Sequence, residues 1–340
     1  MNEPAPITRD HAPTSSRSVV ESFLQNMAIQ DWIALAFHFY LFVRIHLAPD
    51  SVDAETGRAY STTLLLATLI TLVLVRGELI GRPRVRALVY RVGLFVPMVF
   101  SYFELRSLLA GLQPKLLDMQ LFAIDELLFG ATPSVWLSQF NSYNVTEWLA
   151  FFYYLHFPIL VFVLIPSLFL ERGRRLLELM GGALFVVAVG HVGYTLVPGA
   201  GPYATIEFAS PLVGGPWWHR VEEIVAAAGA HLDIFPSLHT AFPVSFALYA
   251  FGNRARAPFK WLWPFFAFSA VNIVVATMYL RWHWGIDVLA GLLLAVSARN
   301  LAFSLPIATH SDGSSPQTGN RPGNRCFSRD PPRFFERRTL

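Results

Sequence analysis

Charged residues are scarce in this chain of 340 residues. Asp, Glu, Lys and Arg together make up 14% of the sequence, whereas soluble domains contain about 25%. Hydrophobic residues make up 54% and the mean hydropathy is +0.44, so the chain has too little polar surface to cover itself in water. This composition excludes an ordinary soluble protein and predicts an all-α polytopic membrane protein.

Cysteine is nearly absent as well. The one thiol, Cys326, cannot form an internal disulfide or a cysteine zinc cluster, so we expect no redox role and no structural metal. No basic stripe interleaved with aromatic residues occurs, and the pI near 9.1 therefore indicates arginine-rich cytoplasmic loops rather than nucleic-acid binding. Residues 1–20 lack the apolar core of a signal peptide, so we expect the first hydrophobic run to act as an uncleaved signal-anchor.

Eight apolar runs are long enough, or nearly so, to cross a bilayer of about 30 Å as helices. Their approximate cores are residues 31–47, 61–76, 88–110, 147–170, 177–197, 237–251, 262–280 and 285–304. Arginine-rich stretches follow every second run, at residues 76–86, 172–175, 254–260 and 321–338. The positive-inside rule then predicts cytoplasmic termini for a multi-pass protein, which we expect in a bacterial inner membrane.

Two polar motifs interrupt these runs. Residues 235–240 read Phe-Pro-Ser-Leu-His-Thr, and residues 280–287 read Leu-Arg-Trp-His-Trp-Gly-Ile-Asp. Positions i and i+4 share one face of a helix, about 5–6 Å apart at Cβ, so Asp287 can hydrogen-bond one ring nitrogen of His283 and leave the other as a nucleophile. His239 would supply a proton for the leaving oxygen. The pattern indicates a phosphoryl-transfer site.

The predicted crossings place both histidines on one side of the membrane. His239 begins the sixth run and His283 precedes the eighth, so both face the extracytoplasmic side. Two predicted membrane crossings separate these catalytic candidates, so nothing required them to lie on the same side. That both are predicted on the same side supports a shared site.

Two long connections flank these runs. Residues 112–147 are moderately apolar and predict one or two helices lying in the membrane interface, with Asp125 and Glu126 on a solvated face. Residues 198–235 are rich in Gly and Pro and predict a lid or entrance beside the site.

The motifs resemble those of the type 2 phosphatidic acid phosphatase superfamily, which has a six-helix core, a Pro-Ser-x-His motif and a later His-x-x-x-Asp motif. Residues 236–239 and 283–287 match them, and the resemblance extends over roughly residues 88–304. Within the superfamily the chain is most similar to the inositol phosphorylceramide synthase branch. The resemblance implies two accessory spans (31–87) and a catalytic core (88–305). Composition and the positive-inside rule predict a cytoplasmic N-terminal tail (1–30) and a disordered basic cytoplasmic tail (306–340).

This resemblance implies a two-step reaction that needs no cofactor or metal. His283 attacks phosphorus and forms a phospho-histidine while His239 protonates the departing alcohol, and Asp287 orients His283. The donor would be a phospholipid, and the acceptor the hydroxyl of another lipid such as ceramide or diacylglycerol. Water as the acceptor would make the protein a lipid phosphate phosphatase instead. The oligomeric state stays open.

The chain departs from the phosphatases of the superfamily in its cations. Residues 196–203 lack the early Lys and Arg-Pro motif, and Ala276 and Thr277 replace the Ser-Arg of the third motif. Both departures favour the synthase branch. The candidates for binding the phosphate are Arg281, Arg106, Ser237 and Tyr203.

Other interpretations stay open at this point. Arg281 could reach the membrane interface instead, and Arg106 could pair with Glu104. The buried His and Asp residues could form the proton relay of a lipid transporter, although the chain shows no internal repeat of the transporter kind. Four further histidines lie in or near the runs and are expected to pack between helices: His38, His46, His156 and His191.

Overall fold

The computed structural model describes residues 18–228 and 230–304, which are helical with connecting turns and contain no β-strand. In chain order the helices are α1 (Val19–Asn26), α2 (Ile29–His46), α3 (Val52–Arg76), α4 (Pro83–Leu112), α5 (Asp118–Phe129), α6 (Pro133–Leu137), α7 (Tyr143–Leu170), α8 (Gly173–Leu176), α9 (Gly182–Leu196), α10 (Pro202–Thr205), α11 (Pro216–Ala228), α12 (Leu238–Gly252), α13 (Phe259–Tyr279) and α14 (Gly285–Ser304). A π-helical turn, Leu177–Gly181, joins α8 to α9. The predicted tail 306–340, with Cys326, lies outside the described residues.

Each of the eight predicted runs forms a helix, and the all-α membrane fold is confirmed. Five segments in the described part are long and apolar enough to cross a membrane, namely α3, α4, α7, the segment Gly173–Leu196 and α13. There are six if α1 and α2, which meet at an angle of 102°, count as one bent span. Helices α12 and α14 are not among these, so the number of eight spans stays a prediction.

Helix α12 is short because the sequence limits it at both ends. Pro236 precedes its N-cap, Ser237, and disfavours a helical conformation of the residue before it. The helix ends after 15 residues at Gly252, whereas α7, against which it packs, has 28. At about 1.5 Å per residue α12 spans roughly 22 Å.

A buried ion pair joins α2, α3 and α4. The Asp31 carboxylate accepts hydrogen bonds from Arg76 Nε at 2.7 Å and from the Tyr90 hydroxyl at 2.6 Å. The Gln30 amide donates to the same hydroxyl at 3.1 Å. Arg76, the first arginine of a predicted cytoplasmic stretch, therefore ends α3 as a buried residue, because Asp31 neutralises its charge.

The first two spans pack directly on the helices that follow. The Tyr40 and Thr195 hydroxyls are 2.7 Å apart, and Arg44 Nη2 donates to the Thr195 carbonyl at 3.1 Å. One cluster of buried hydrophobic side chains extends from α2 to α14, and includes Phe37, Leu105, Val186, Phe242 and Leu294. The predicted division at residues 87 and 88 falls inside α4 and stays a prediction.

The connection between α4 and α7 contains two α-helices, α5 and α6, and a short 3-10 helix, Ser138–Phe140. Glu126 is exposed, as expected. The expectation for Asp125 is wrong, because this residue is fully buried and its carboxylate accepts hydrogen bonds from the backbone amides of Gly285 and Ile286, each at 2.8 Å. Helix α5 therefore holds the start of α14 instead of presenting Asp125 to water.

Candidate functional site

The two sequence motifs meet where α12 and α14 begin. The amide of Ser237 donates a hydrogen bond to the carbonyl of Asp287 at 3.0 Å. Gly291 allows this approach, because a Cβ at that position would lie 2.5 Å from the Ser237 carbonyl oxygen. His239, in the first turn of α12, is thereby held beside the start of α14.

His283 lies in the turn just before α14, as its place ahead of the eighth run predicts, so His283 and Asp287 do not share a helix face as their spacing suggested. Its proximity to Asp287 arises because Asp287 Oδ2 accepts a hydrogen bond from the Trp284 amide at 2.9 Å and so caps the start of the helix. The same carboxylate oxygen is 3.4 Å from His283 Nδ1, an ion-pair distance. The i, i+4 spacing therefore brings the two side chains together, although Nδ1 makes no hydrogen bond to any described residue.

His239 and His283 are neighbours. Their ring centroids are 6.0 Å apart, so both histidines lie at one end of the helix bundle. That this end is the extracytoplasmic one stays a prediction. His283 is 4% exposed and Asp287 is fully buried. The Ser237 hydroxyl and His239 Nε2 are also buried, and neither has a hydrogen-bond partner among the described residues. Buried polar atoms without partners are rare in folded proteins, and their concentration here marks the place where a substrate would bind.

Helix α7 contributes three aromatic side chains that surround His239. Tyr153, His156 and Phe157 have ring centroids 4.5, 4.4 and 5.6 Å from the His239 ring. They occupy positions i, i+3 and i+4, which lie on one helix face. His156 was expected only to pack between helices, and Tyr153 was not considered. The sequence signal for this face is His156, because an ionisable residue inside an apolar membrane helix more often has a function than not.

Arg281 contacts the connection between α9 and α12. Its Nη2 donates to the Ser210 carbonyl at 2.8 Å, and its guanidinium lies 3.8 Å from the centre of the Phe208 ring. Burial lowers the pKa of this guanidinium. Tyr203, a second predicted phosphate ligand, donates its backbone amide to the Arg281 carbonyl at 2.9 Å and packs its ring on Trp282. Both residues therefore hold the connection against the turn that carries His283.

Arg106 lies apart from these residues. It is exposed, and Nη1 donates to the Ala227 carbonyl in α11 at 3.5 Å. Glu104 is buried, and both of its carboxylate oxygens lack a hydrogen-bond partner in the described part of the chain. The alternative that Arg106 and Glu104 pair with each other is therefore wrong.

Two acidic residues that the sequence did not single out secure the surroundings of the site. The Asp118 carboxylate accepts hydrogen bonds from the amides of Ala200 and Gly201, at 2.9 and 2.8 Å, and from Trp284 Nε1 at 3.2 Å. The Glu147 carboxylate accepts from three amides at the start of α11, those of Gly215, Trp217 and Trp218. The connection thus lies beside the site, where a lid was predicted, and is anchored at both of its halves.

The electrostatic setting includes one further carboxyl group. Burial raises the pKa of Asp233, while the nearby His283 and His231 act in the opposite direction. Within residues 18–228 and 230–304, no group of three or more His, Cys, Asp or Glu side chains could hold a metal ion. The polar groups that the described residues bring together here are two histidines, the Asp287 carboxylate and buried hydroxyls.

Comparison with known proteins gives one result. The family model described as the PAP2 superfamily matches residues 119–301, which is more than half of the chain. The matched residues include His239, His283 and Asp287, whereas α4, which the resemblance had included, precedes them. No curated protein and no solved structure matches the chain.

Proposed function

The chain belongs to the PAP2 superfamily of phosphatases and phosphotransferases, and on that basis we propose that it is an integral-membrane lipid phosphotransferase of the inositol phosphorylceramide synthase type. The observation that carries the proposal is the approach of His239 to His283, 6.0 Å between ring centroids, beside the Asp287 carboxylate. Such an arrangement supplies a nucleophile, an acid and an orienting group.

In the first step a nitrogen of His283 attacks the phosphorus atom of the donor lipid. The bond from phosphorus to the diacylglycerol oxygen breaks, and His239 gives that oxygen a proton. Asp287, 3.4 Å from Nδ1, stabilises the positive charge that develops on the His283 ring. The Ser237 hydroxyl, buried and without a partner, is placed to donate a hydrogen bond to a phosphate oxygen.

In the second step the hydroxyl of an acceptor lipid attacks the phospho-histidine. His239, now neutral, removes the proton of this hydroxyl. Arg281 and Tyr203 support the site through the connection that they hold, and Arg106 would contact a phosphate only at the exposed edge of α4.

Transfer to a lipid, in preference to water, is supported by the covering of the site. Tyr203 and Trp218 both pack on Trp282, next to His283, and His283 itself is 4% exposed. Exclusion of water protects a reactive intermediate from hydrolysis. We propose ceramide or diacylglycerol as the acceptor, at an extracytoplasmic site in a bacterial inner membrane.

The test uses purified protein in detergent and phosphatidylinositol labelled in its headgroup, with ceramide, with diacylglycerol, or with neither. The variants are His283→Ala and, as a matched control, His46→Ala, since His46 is exposed at the end of α2. We expect the label on the acceptor lipid with wild-type protein and His46→Ala, and none with His283→Ala. Without an acceptor, wild-type protein should carry an acid-labile, base-stable label on histidine.

Three results would contradict the proposal in different ways. Release of labelled water-soluble product alone, dependent on His283, would make the protein a phosphatase or phospholipase of the same superfamily. Equal turnover by wild type and His283→Ala would remove His283 from the mechanism, and no turnover by either would overturn the proposed lipid phosphotransferase activity.

A further inference from the structure

Tyr153 lies directly against His239. The two rings are stacked at an interplanar angle of 27°, and the Tyr153 hydroxyl is 3.5 Å from His239 Nδ1. Tyr153 is 3% exposed, and its hydroxyl has no other hydrogen-bond partner in the part of the chain that the structure describes. Hydrogen bonds in a substrate-free catalytic site are often long and shorten in the complex, so a separation of 3.5 Å suits a working contact.

The two nitrogens of the His239 ring have different surroundings. Nδ1 faces the Tyr153 hydroxyl, while Nε2 is buried without a partner. The hydrogen bond made by one ring nitrogen determines the state and direction of the other. Nε2 is therefore the nitrogen left for the substrate, and Nδ1 is the nitrogen by which the ring is held.

The same division occurs at His283, whose Nδ1 faces Asp287. Each histidine thus has one orienting partner on its Nδ1 side. The partners differ in charge, a carboxylate for His283 and a neutral hydroxyl for His239. This difference suits the two roles, because a carboxylate beside His239 would hold the ring in its protonated form, whereas His239 must give up a proton and then take one back.

We propose that Tyr153 is the positioning residue of His239, with its hydroxyl oxygen accepting the hydrogen on Nδ1 and so directing Nε2 toward the leaving oxygen. This inference rests on the proposed function, because it assigns Tyr153 to the acid–base step of that reaction.

The proton balance of the two steps is simple. As the bond between His283 and phosphorus forms and the bond to the leaving oxygen breaks, the hydrogen on Nε2 moves to that oxygen. Nδ1 keeps its hydrogen, and the Tyr153 hydroxyl keeps its own. In the second step the acceptor hydroxyl returns a proton to Nε2 as its oxygen bonds to phosphorus and the bond to His283 breaks.

The test compares donors whose leaving oxygen must be protonated by His239 with donors whose leaving group departs without a proton. The variant Tyr153→Phe keeps the ring and its stacking but loses the hydroxyl. The donors are phosphatidylinositol, whose diacylglycerol oxygen must be protonated, and nitrophenyl phosphoinositol, whose nitrophenolate leaves without a proton. Phosphatidate and nitrophenyl phosphate form the equivalent pair if the wild-type protein is a phosphatase. Tyr154→Phe is the control, because Tyr154 is the next residue on α7 and packs on Trp217 instead.

In single-turnover experiments without an acceptor, we expect Tyr153→Phe to lower the rate of phospho-histidine formation from the diacylglycerol donor about tenfold, the effect of losing one hydrogen bond. We expect the donor concentration that gives the half-maximal rate to be unchanged, the rate with the nitrophenyl donor to change less than twofold, and Tyr154→Phe to match wild type on both. Equal rates for Tyr153→Phe and wild type with the diacylglycerol donor would overturn the inference. So would an equal loss of this first-step rate with both donors, which is the mark of a structural role. A wild-type protein inactive on all four donors would instead overturn the proposed function.

Discussion

Two buried polar clusters in this protein differ in one respect. In the first, formed by Gln30, Asp31, Arg76 and Tyr90, each side chain has a partner at 2.6–3.1 Å. In the second, around His239 and His283, several polar atoms have none among the described residues, including Ser237 Oγ, His239 Nε2, His283 Nδ1 and Asp287 Oδ1. Burial alone therefore does not separate structure from function in this membrane protein.

The physical reason is the cost of an unpaired polar group. Leaving a buried donor or acceptor unsatisfied costs about 1–3 kcal/mol, and a fold has no reason to retain several such groups together unless a ligand completes them. The satisfied cluster joins α2, α3 and α4, and its contribution is to stability. The unsatisfied cluster lies at the start of α12 and α14, where we propose that a substrate binds, and its expected contribution is to turnover. Substitutions in the two clusters should consequently have opposite profiles.

The largest effect is expected at the unsatisfied cluster. His239→Asn should lower kcat for a diacylglycerol-type donor by about 100- to 10,000-fold, because it removes the general acid and base. The midpoint of thermal unfolding should change little, since the lost Nε2 has no partner in the substrate-free protein. Turnover assays and thermal unfolding in the same detergent check both halves. A large fall in the midpoint would place His239 with the structural cluster.

The satisfied cluster should give the reverse result. Asp31→Ala leaves Arg76 buried without its counter-charge, which costs about 3–5 kcal/mol, while turnover per folded molecule should stay within twofold. The matched control is Asp50→Ala. Asp50 also pairs with an arginine, Arg58, but its side chain is 92% exposed, so its loss should cost less than about 1 kcal/mol. Equal unfolding midpoints for the two variants would contradict the comparison.

A third substitution tests a residue that belongs to both descriptions. Asp125 is fully partnered, yet it holds the start of α14 two residues beyond His283. Asp125→Ala should cost about 1–2 kcal/mol, as the loss of a helix cap does, and should also lower turnover several-fold. Asp53→Ala, in the exposed first turn of α3, is the control and should change neither. A loss of stability with full turnover would show that the cap does not position His283.

The fold could be predicted well because each membrane helix corresponds to a continuous apolar run in the sequence. Each of the eight runs forms a helix. Counting the predicted membrane crossings between His239 and His283 was enough to predict that the two residues lie at the same end of the bundle. The pair of His283 and Asp287 was also predictable, since an i, i+4 spacing survives even though His283 lies in the turn and Asp287 caps it.

Contacts between distant segments could not be predicted in this way. Tyr153 lies 86 residues from His239 in the sequence. Helix α7 shows no amphipathic periodicity, so its sequence marks the side toward the site only by the ionisable His156. In the sequence Asp125 is followed by Glu126, a pattern typical of two solvent-exposed acidic residues. Only its contact with Gly285, 160 residues away, explains its burial.

The short α12 also bears on the route by which a lipid reaches the site. A hydrocarbon core is about 30 Å thick, so a helix of roughly 22 Å that forms the predicted sixth span, with its Gly252 end at one boundary, would stop about 8 Å inside the other. In that arrangement His239 would lie below the level of the headgroups, among the upper carbons of the acyl chains. A donor lipid that enters laterally keeps its acyl chains in the hydrocarbon core and moves only its phosphate to the depth of the site. A donor that enters from the aqueous side must first transfer its acyl chains out of the bilayer. Lateral entry therefore costs less free energy, and turnover should fall as the surrounding bilayer is made thicker.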